Sequence, residues 1–338
     1  MQERFSQLVD NSDMPKVFLH GNPHLDNYVK TENGAAMIDF DRSRFGPYAW
    51  DIVRLLASIS LKKAKSGNNF LSGIVKDYLY EGYIRSFTND TLPHKQASEL
   101  DKIRPQKWQR TINDYLKANN GWAKKLNENR IPNDDPTMLG VLQSYLESRN
   151  ETNLLEQYTI EKAAFALGTL QNKRFLVLLK PIKETIGNVD RILLDIKSVY
   201  QDANNDFYYN PFEHHGIRMI KAAELYAPEI EERLGYATYQ GIQYWGRAIP
   251  SFSYKIKTKL SETQQLDIAY SVGTQLGKAH RKSLVNDDPS RLVDHLEKNY
   301  KSYIQAAEIL SKEIQVAHRA YRISWRKNSG LKSSVKAK

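Results

Sequence analysis

Carboxylates and carboxamides crowd into one short stretch of the chain. It reads His20-Gly21-Asn22-Pro23-His24-Leu25-Asp26-Asn27, then Ile38-Asp39-Phe40-Asp41, then Gly46-Pro47-Tyr48-Ala49-Trp50-Asp51. Hard oxygen donors of this kind suit Mg2+ and the phosphates that accompany it. Most of them stand just after, or between, short apolar runs, which is how rigid elements present polar ligands. Asp39 is the hardest to read as filler. A carboxylate ending a buried strand must be paired or hold a cation.

The neighbouring elements say how the stretch would be held. Residues 1–15 read as a short helix stopped before Pro15, and Val17-Phe18-Leu19 as a buried strand leading into the polar motif. Runs at 28–31 and 35–38 flank Glu32-Asn33-Gly34, and Asn-Gly between alternating segments is a strong hairpin signal. Such a hairpin brings Asn27, before its first strand, beside Asp39, after its second. From Pro47 the period turns helical through Trp50, Val53, Arg54, Leu55 and Ile59. Further helices are expected over 70–87, 95–103, 105–126 and 137–148, with breaks at Gly67-Asn68-Asn69 and over 132–136. Near residue 158 the character changes. Strands are expected over 158–167, 174–180 and 191–197, a helix over 210–226, strands over 240–249 and 254–257, then helices over 262–281 and 290–321.

Composition bounds the classes. A chain of 338 residues favours two domains or lobes, and 41% hydrophobic with 26% charged residues is ordinary for a soluble protein. The longest apolar run, Phe175-Leu176-Val177-Leu178-Leu179, has strand length, far short of the roughly 18 residues of a membrane span. The first residues lack the basic start and apolar core of a secretory leader, so a cytoplasmic location is expected. Without cysteine there are no disulfides, thiolate metal sites or thiol nucleophiles. The formal charge of +10 favours anionic partners, nucleotides among them. The basic end, 322–338, reads as a flexible tail. No zinc-finger spacing, glycine-aromatic signature or aromatic-interleaved basic stripe points to nucleic acid.

His-x-Asn-x-x-x-x-Asn followed by Ile-Asp-Phe has the spacing of the phosphoryl-transfer loop of protein kinases, where an Asp and an Asn orient the acceptor hydroxyl and a metal ion. The stretch also resembles the aminoglycoside phosphotransferase and choline kinase loop at His20, Gly21, His24, Asn27, Ile38, Asp39, Gly46, Pro47 and Asp51. Only 19 residues precede His20, so the small lobe would have to follow the loop instead of preceding it. That order resembles the bacterial family known as domain of unknown function 2252. The resemblance runs through Gly46-Pro47-Tyr48-Ala49-Trp50-Asp51-Ile52-Val53-Arg54-Leu55, Leu167-Gly168-Thr169, Ile196-Lys197, Tyr244-Trp245-Gly246-Arg247 and Lys278-Ala279-His280-Arg281-Lys282-Ser283, over roughly residues 17–283. Family members usually carry a longer leading stretch, so a truncated version is expected.

The resemblance implies an α+β, protein-kinase-like fold of two lobes in circularly permuted order. A helix-rich large lobe would comprise 1–157 and 259–321, and a small antiparallel-sheet lobe 158–258. It implies ATP and Mg2+ as cofactors and an unidentified acceptor. Lys197 would reach the phosphates, partnered by Glu224 in preference to Glu213, and Gly168 and Thr169 would tip the phosphate-covering turn. Arg247 would mark a hinge whose backbone, 246–249, meets adenine. Asn27, Asp39 and Asp41 would hold the metal. Asn22 stands where the family and the kinases carry the catalytic Asp, and an amide cannot accept a proton as a carboxylate does. Asp26 is a nearby replacement base, and His20 a structural member of the loop. The turn also carries Ala166 and Gln171 where glycines are expected. Two other functions follow from these departures and from the histidines: a catalytically weakened, pseudokinase-like binding module, and a metal-dependent hydrolase using His20, His24 and Asp39. Plainer roles stand beside these, with Asn22 as a turn residue and Lys197 as a surface lysine at a strand end.

Overall fold

The structure is a computed structural model that describes residues 1–31, 34–66, 73–89, 91–92, 99, 111–117, 121–168, 172–183, 190–201, 203–250, 254–255 and 260–328. The chain opens with α1 (Gln2–Leu8), β1 (Lys16–Leu19), a 3-10 turn (Leu25–Asn27), β2 (Tyr28–Thr31), β3 (Gly34–Met37), β4 (Arg44–Pro47), α2 (Ala49–Ser66) and α3 (Gly73–Thr88). β2 and β3 form the expected hairpin, with Thr31 opposite Gly34. Glu32 and Asn33 lie outside the described residues. The Ile38 amide donates to the Asn27 carbonyl at 3.0 Å, so the open end of the hairpin ties the 3-10 turn to Asp39. β4 differs from expectation. The helix begins at Ala49, and the preceding residues pair antiparallel with β1, from Lys16 opposite Pro47 to Leu19 opposite Arg44. Buried backbone at 17–19 needs such a partner.

The middle of the chain builds a larger sheet. It contains α4 (Ile112–Lys117), α5 (Gly121–Glu128), β5 (Arg130–Ile131), α6 (Pro136–Ser148), α7 (Leu154–Gln157), β6 (Tyr158–Leu167), β7 (Lys173–Pro181), β8 (Ile192–Ser198), α8 (His215–Tyr226), β9 (Glu232–Tyr239) and β10 (Ile242–Ala248). The sheet is antiparallel throughout, in the order β5-β6-β7-β8-β10-β9. Alternation along β7 gives each face its own core. Phe175, Val177 and Leu179 pack with Met138, Leu142 and Tyr145 of α6. Leu176 and Leu178 pack with Ile112 of α4 and Leu126 of α5. Asp135 starts α6 by accepting from the Met138 amide at 2.8 Å, with Pro136 in the first turn. Two expectations fall partly outside the described residues, and one changes. The helix expected over 105–126 is described as the two pieces α4 and α5, and the one over 95–103 falls outside the described residues apart from Glu99. Strand β9 was not foreseen. Its Gly235 sits where a Cβ would meet the Tyr145 ring at 2.7 Å, a close approach that weakens a strand signal in sequence.

β11 (Tyr254–Lys255) pairs with Lys30 and Val29 of β2, joining the hairpin and not the large sheet. Two helices follow, α9 (Glu262–Ser283) and α10 (Pro289–Asn328). Ser261 and Gln264 close a capping box at the start of α9. α9 and α3 pack backbone to backbone, because a Cβ at Gly82, Gly273 or Gly277 would lie 2.3 Å from a carbonyl oxygen of the other helix. The largest core joins these helices to the hairpin, with Trp50, Leu55, Tyr83, Leu276 and Leu310 all buried. α10 continues through Asn328, so 322–328, expected as tail, is helical, and 329–338 lie outside the described residues. The fold is α+β, its helices segregated from antiparallel sheets. No helix among the described residues is long and apolar enough to cross a membrane.

Candidate functional site

The polar loop after β1 is held from beneath by one buried carboxylate. Asp51, at the start of α2, accepts from the His20 amide at 2.7 Å and the Gly21 amide at 2.9 Å. His280 of α9 lies 3.2 Å from the same carboxylate and meets the Tyr83 hydroxyl at 2.9 Å. Trp50 Nε1 donates to the Gly21 carbonyl at 2.8 Å. Gly21 has φ +83°, and a Cβ there would lie 1.8 Å from the Arg42 carbonyl oxygen, so only glycine fits. His20 is fully buried against Phe40 and Tyr226, with ring centroids 5.0 and 5.4 Å away. Burial pushes its pKa down to about 4, leaving a neutral ring that fixes the loop.

Above this base the hairpin and the large sheet meet. Lys197, near the end of β8, is 8% exposed, and its Nζ lies 2.9 Å from Asp41 Oδ2. Asp39 follows β3 at φ 79°, a left-handed backbone uncommon outside glycine. It is open to the cavity solvent. The surrounding protein nonetheless strips much of its hydration, and that loss, with the Asp41 charge beside it, pushes its carboxyl up. At Asp41 burial acts upward too, but the Lys197 ammonium outweighs it and holds the group down. Asp41 Oδ1 and Asn27 Nδ2 are buried without hydrogen-bond partners. Arg218 of α8 holds the same loop, donating to the backbone oxygens of Asp41, Ser43 and Tyr200.

Two contiguous cavities open here. The inner one, of about 280 Å³, has an apolar wall of Val29, Ile38, Ile230, Ala248, Ile249 and Pro250, with Asn27, Glu231 and Arg247 also on its lining. The outer one, of about 640 Å³, is polar and lined by Asn22, Asp41, Arg42, Gly168 and Asn172 among others. Asp39, Lys125, Arg174 and Lys197 line both. Together the linings carry five cationic side chains against three carboxylates. An apolar slot opening into a cationic chamber suits a ring joined to a polyanion. No group of three or more His, Cys, Asp or Glu fit to hold a metal exists among the described residues. Two carboxylates and an amide still fit Mg2+, which is typically bound by one or two carboxylates plus substrate phosphates. Asp41 Oδ1, which has no hydrogen-bond partner, would offer such an ion a hard oxygen beside Asp39.

The expected site residues thus divide. Asn22, Asn27, Asp39, Asp41, Gly168, Lys197 and Arg247 all line this pair of cavities. Asn22 is held by Arg54, whose Nε donates to its Oδ1 at 2.9 Å. Thr169 lies outside the described residues. Asp26 is exposed on the 3-10 turn and lines neither cavity. Glu224 is corrected: it sits on the exposed face of α8, 2.8 Å from Lys221, while the carboxylate facing Lys197 is Asp41. The helix after the lysine strand turns Arg218, not a glutamate, towards the loop. Arg247 pairs with the buried Glu231, whose carboxyl is raised by burial against the pull of Arg247. Trp122, Lys125 and Glu231 were missed. For Trp122 and Lys125 the one sequence signal was the period of α5, which sets them three residues apart.

Comparison with known families covers both regions. Residues 132–323, more than half of the chain, match the family described as uncharacterized protein conserved in bacteria (DUF2252). Residues 2–85, which contain the polar loop and hairpin, match the phosphotransferase enzyme family (APH). No curated protein and no solved structure matches.

Proposed function

The chain belongs to the bacterial DUF2252 family, and we propose that it binds ATP with Mg2+ in a kinase-like, lobe-permuted cleft and transfers a phosphoryl group. The carrying observation is the convergence of Asn27, Asp39, Asp41 and Lys197, from segments more than 150 residues apart, on one pair of cavities. The phosphotransferase match over the loop and hairpin supports the same reading.

In this reading the inner slot takes the base against Ile38, Ala248 and Ile249. Lys197 and Arg174 meet the phosphates, and Asn27, Asp39 and Asp41 hold Mg2+. The ion, when bound, neutralises phosphate charge. Phosphoryl transfer is mostly positioning and charge stabilisation, so the chain can supply most of what it needs without a strong base. The acceptor hydroxyl would enter beside Asn22, which can orient it but cannot take its proton.

The Arg54 contact to Asn22 favours a second reading, nucleotide binding without turnover. A hydrolase built on His20 is not supported, since that ring is buried, neutral and enclosed by aromatic side chains. Phosphate release or transfer from ATP by the full chain with Mg2+ separates the two nucleotide readings. Slow, Mg2+-dependent consumption is expected; ATP bound but never consumed would leave only the second.

A further inference from the structure

We propose that Lys125 of α5 is a ligand for the terminal phosphates of the bound nucleotide, supplying from a helix the contact that a glycine-rich turn would otherwise make. The inference rests on the nucleotide reading for the identity of the ligand, and on the following geometry for the residue.

α4 and α5 cover the sheet face that looks into the cavities. Ala123 and Leu126 of α5 are buried, Leu126 packing with Ala164, Leu176, Leu178 and Leu193 of the sheet. On the same helix Trp122 and Lys125, three residues apart and so on one face, line the inner cavity. Lys125 reaches the outer one as well. The Trp122 ring carries two cations, with Lys125 Nζ 5.1 Å and the Arg174 guanidinium 5.4 Å from its centroid.

Three cations, Lys125, Arg174 and Lys197, therefore share both cavities. Two of them have carboxylates: Arg174 lies 2.9 Å from Asp195, and Lys197 lies 2.9 Å from Asp41. Lys125 forms no ion pair among the described residues. Burial pushes its amine down, and so do the charges of Arg174 and Lys197, against the pull of Asp195. A half-buried amine held against two other cations is relieved by a polyanion lying between them. The sequence between β6 and β7 has a single glycine, Gly168, followed by Thr169-Leu170-Gln171-Asn172. Lys125 enters the same chamber as Gly168 and Asn172.

Calorimetric titration of the full chain with ATP, adenosine and inorganic tripolyphosphate, each with Mg2+, tests the assignment. Lys125→Ala is expected to weaken ATP and tripolyphosphate about tenfold or more, the scale of one charge-assisted hydrogen bond, and to leave adenosine unchanged. Lys125→Arg should restore most of the loss. Lys124→Ala, at an exposed neighbour 3.9 Å from Glu128, should bind as the wild type and so controls for folding. ATP binding by Lys125→Ala within twofold of wild type would overturn the role of Lys125 while leaving the nucleotide reading intact. Lys125-dependent binding of tripolyphosphate without any binding of ATP would overturn the nucleotide reading and keep the anion site. No binding of either would overturn both.

Discussion

Lys197 Nζ and Asp41 Oδ2 lie 2.9 Å apart across 156 positions of sequence, joining the large sheet to the hairpin loop. Both side chains are largely buried, at 10% and 19% exposure, so this pair is not an ordinary surface salt bridge. Removing one member strands the other. Lys197→Met leaves Asp41 unpaired beside Asp39 and should cost roughly 3 kcal/mol in denaturant unfolding. Lys197→Met combined with Asp41→Asn should recover most of that loss. A single mutant as stable as wild type would mean that the pair does not join these two elements in solution.

Asp39 is held in a conformation that carries a cost. Its left-handed backbone, at φ 79°, costs roughly 1–2 kcal/mol for a residue with a Cβ, and Asp41 repels it. Asp39→Gly should therefore be at least as stable as wild type while losing Mg2+-dependent ATP binding. The sign of the pH effect follows from the raised carboxyl. The folded state holds this proton above the unfolded pKa, so the contribution of Asp39 to stability falls as pH rises from the usual aspartate value through the raised one. Mg2+ must displace the proton, so metal affinity should rise over the same interval. Calorimetry in buffers of different ionisation enthalpy would register the proton released, and binding with no proton release would count against Asp39 as a ligand.

Asn22 limits the chemistry. Asn22→Asp would place a carboxylate beside Arg54, which favours its ionised form, and should raise phosphoryl transfer by about 10²–10⁴-fold, the usual scale of general-base help. An unchanged rate, with ATP binding intact, would show that residue 22 is not where the acceptor proton leaves.

His20 makes the loop sensitive to acid. Its pKa is about 4 in the folded protein against an ordinary value near 6.5, so the unfolded chain binds the proton first. Its contribution is complete above pH 6.5 and is lost as pH falls towards 4, on the order of 3 kcal/mol in all. His20→Phe should flatten the stability profile over that window. A profile as steep as that of wild type would assign the acid sensitivity to other groups.

Much of the site was legible because its residues are local. Asn27 and Asp39 are joined by a hairpin whose turn chemistry can be read directly, and Asp51 stands close to the loop it supports. The strands containing Lys197 and Arg247 were legible from composition, the second from its aromatic and β-branched residues. What sequence could not supply were pairings between distant segments. The partner of Lys197 was expected from the helix after it, Glu224 in preference to Glu213, but α8 turns Arg218 to the loop and leaves Glu224 in solvent, and Asp41 takes that place. β11 was legible as a strand, but nothing local said that it would join Lys30 and Val29. Lys125 carried no signal beyond the helical period that it shares with Trp122. A lysine three residues after a tryptophan on an amphipathic helix is ordinary until the helix is laid over a cavity.

The most direct test is the unfolding midpoint of the full chain with saturating ATP, measured first with Mg2+ and then with the metal chelated. Ligand at about 100 times its Kd should add about 2.7 kcal/mol of stability. The account predicts a clear upward shift with Mg2+, a much smaller one without it, and loss of the shift in Asp39→Asn. A midpoint unmoved by ATP in the presence of Mg2+ would contradict it.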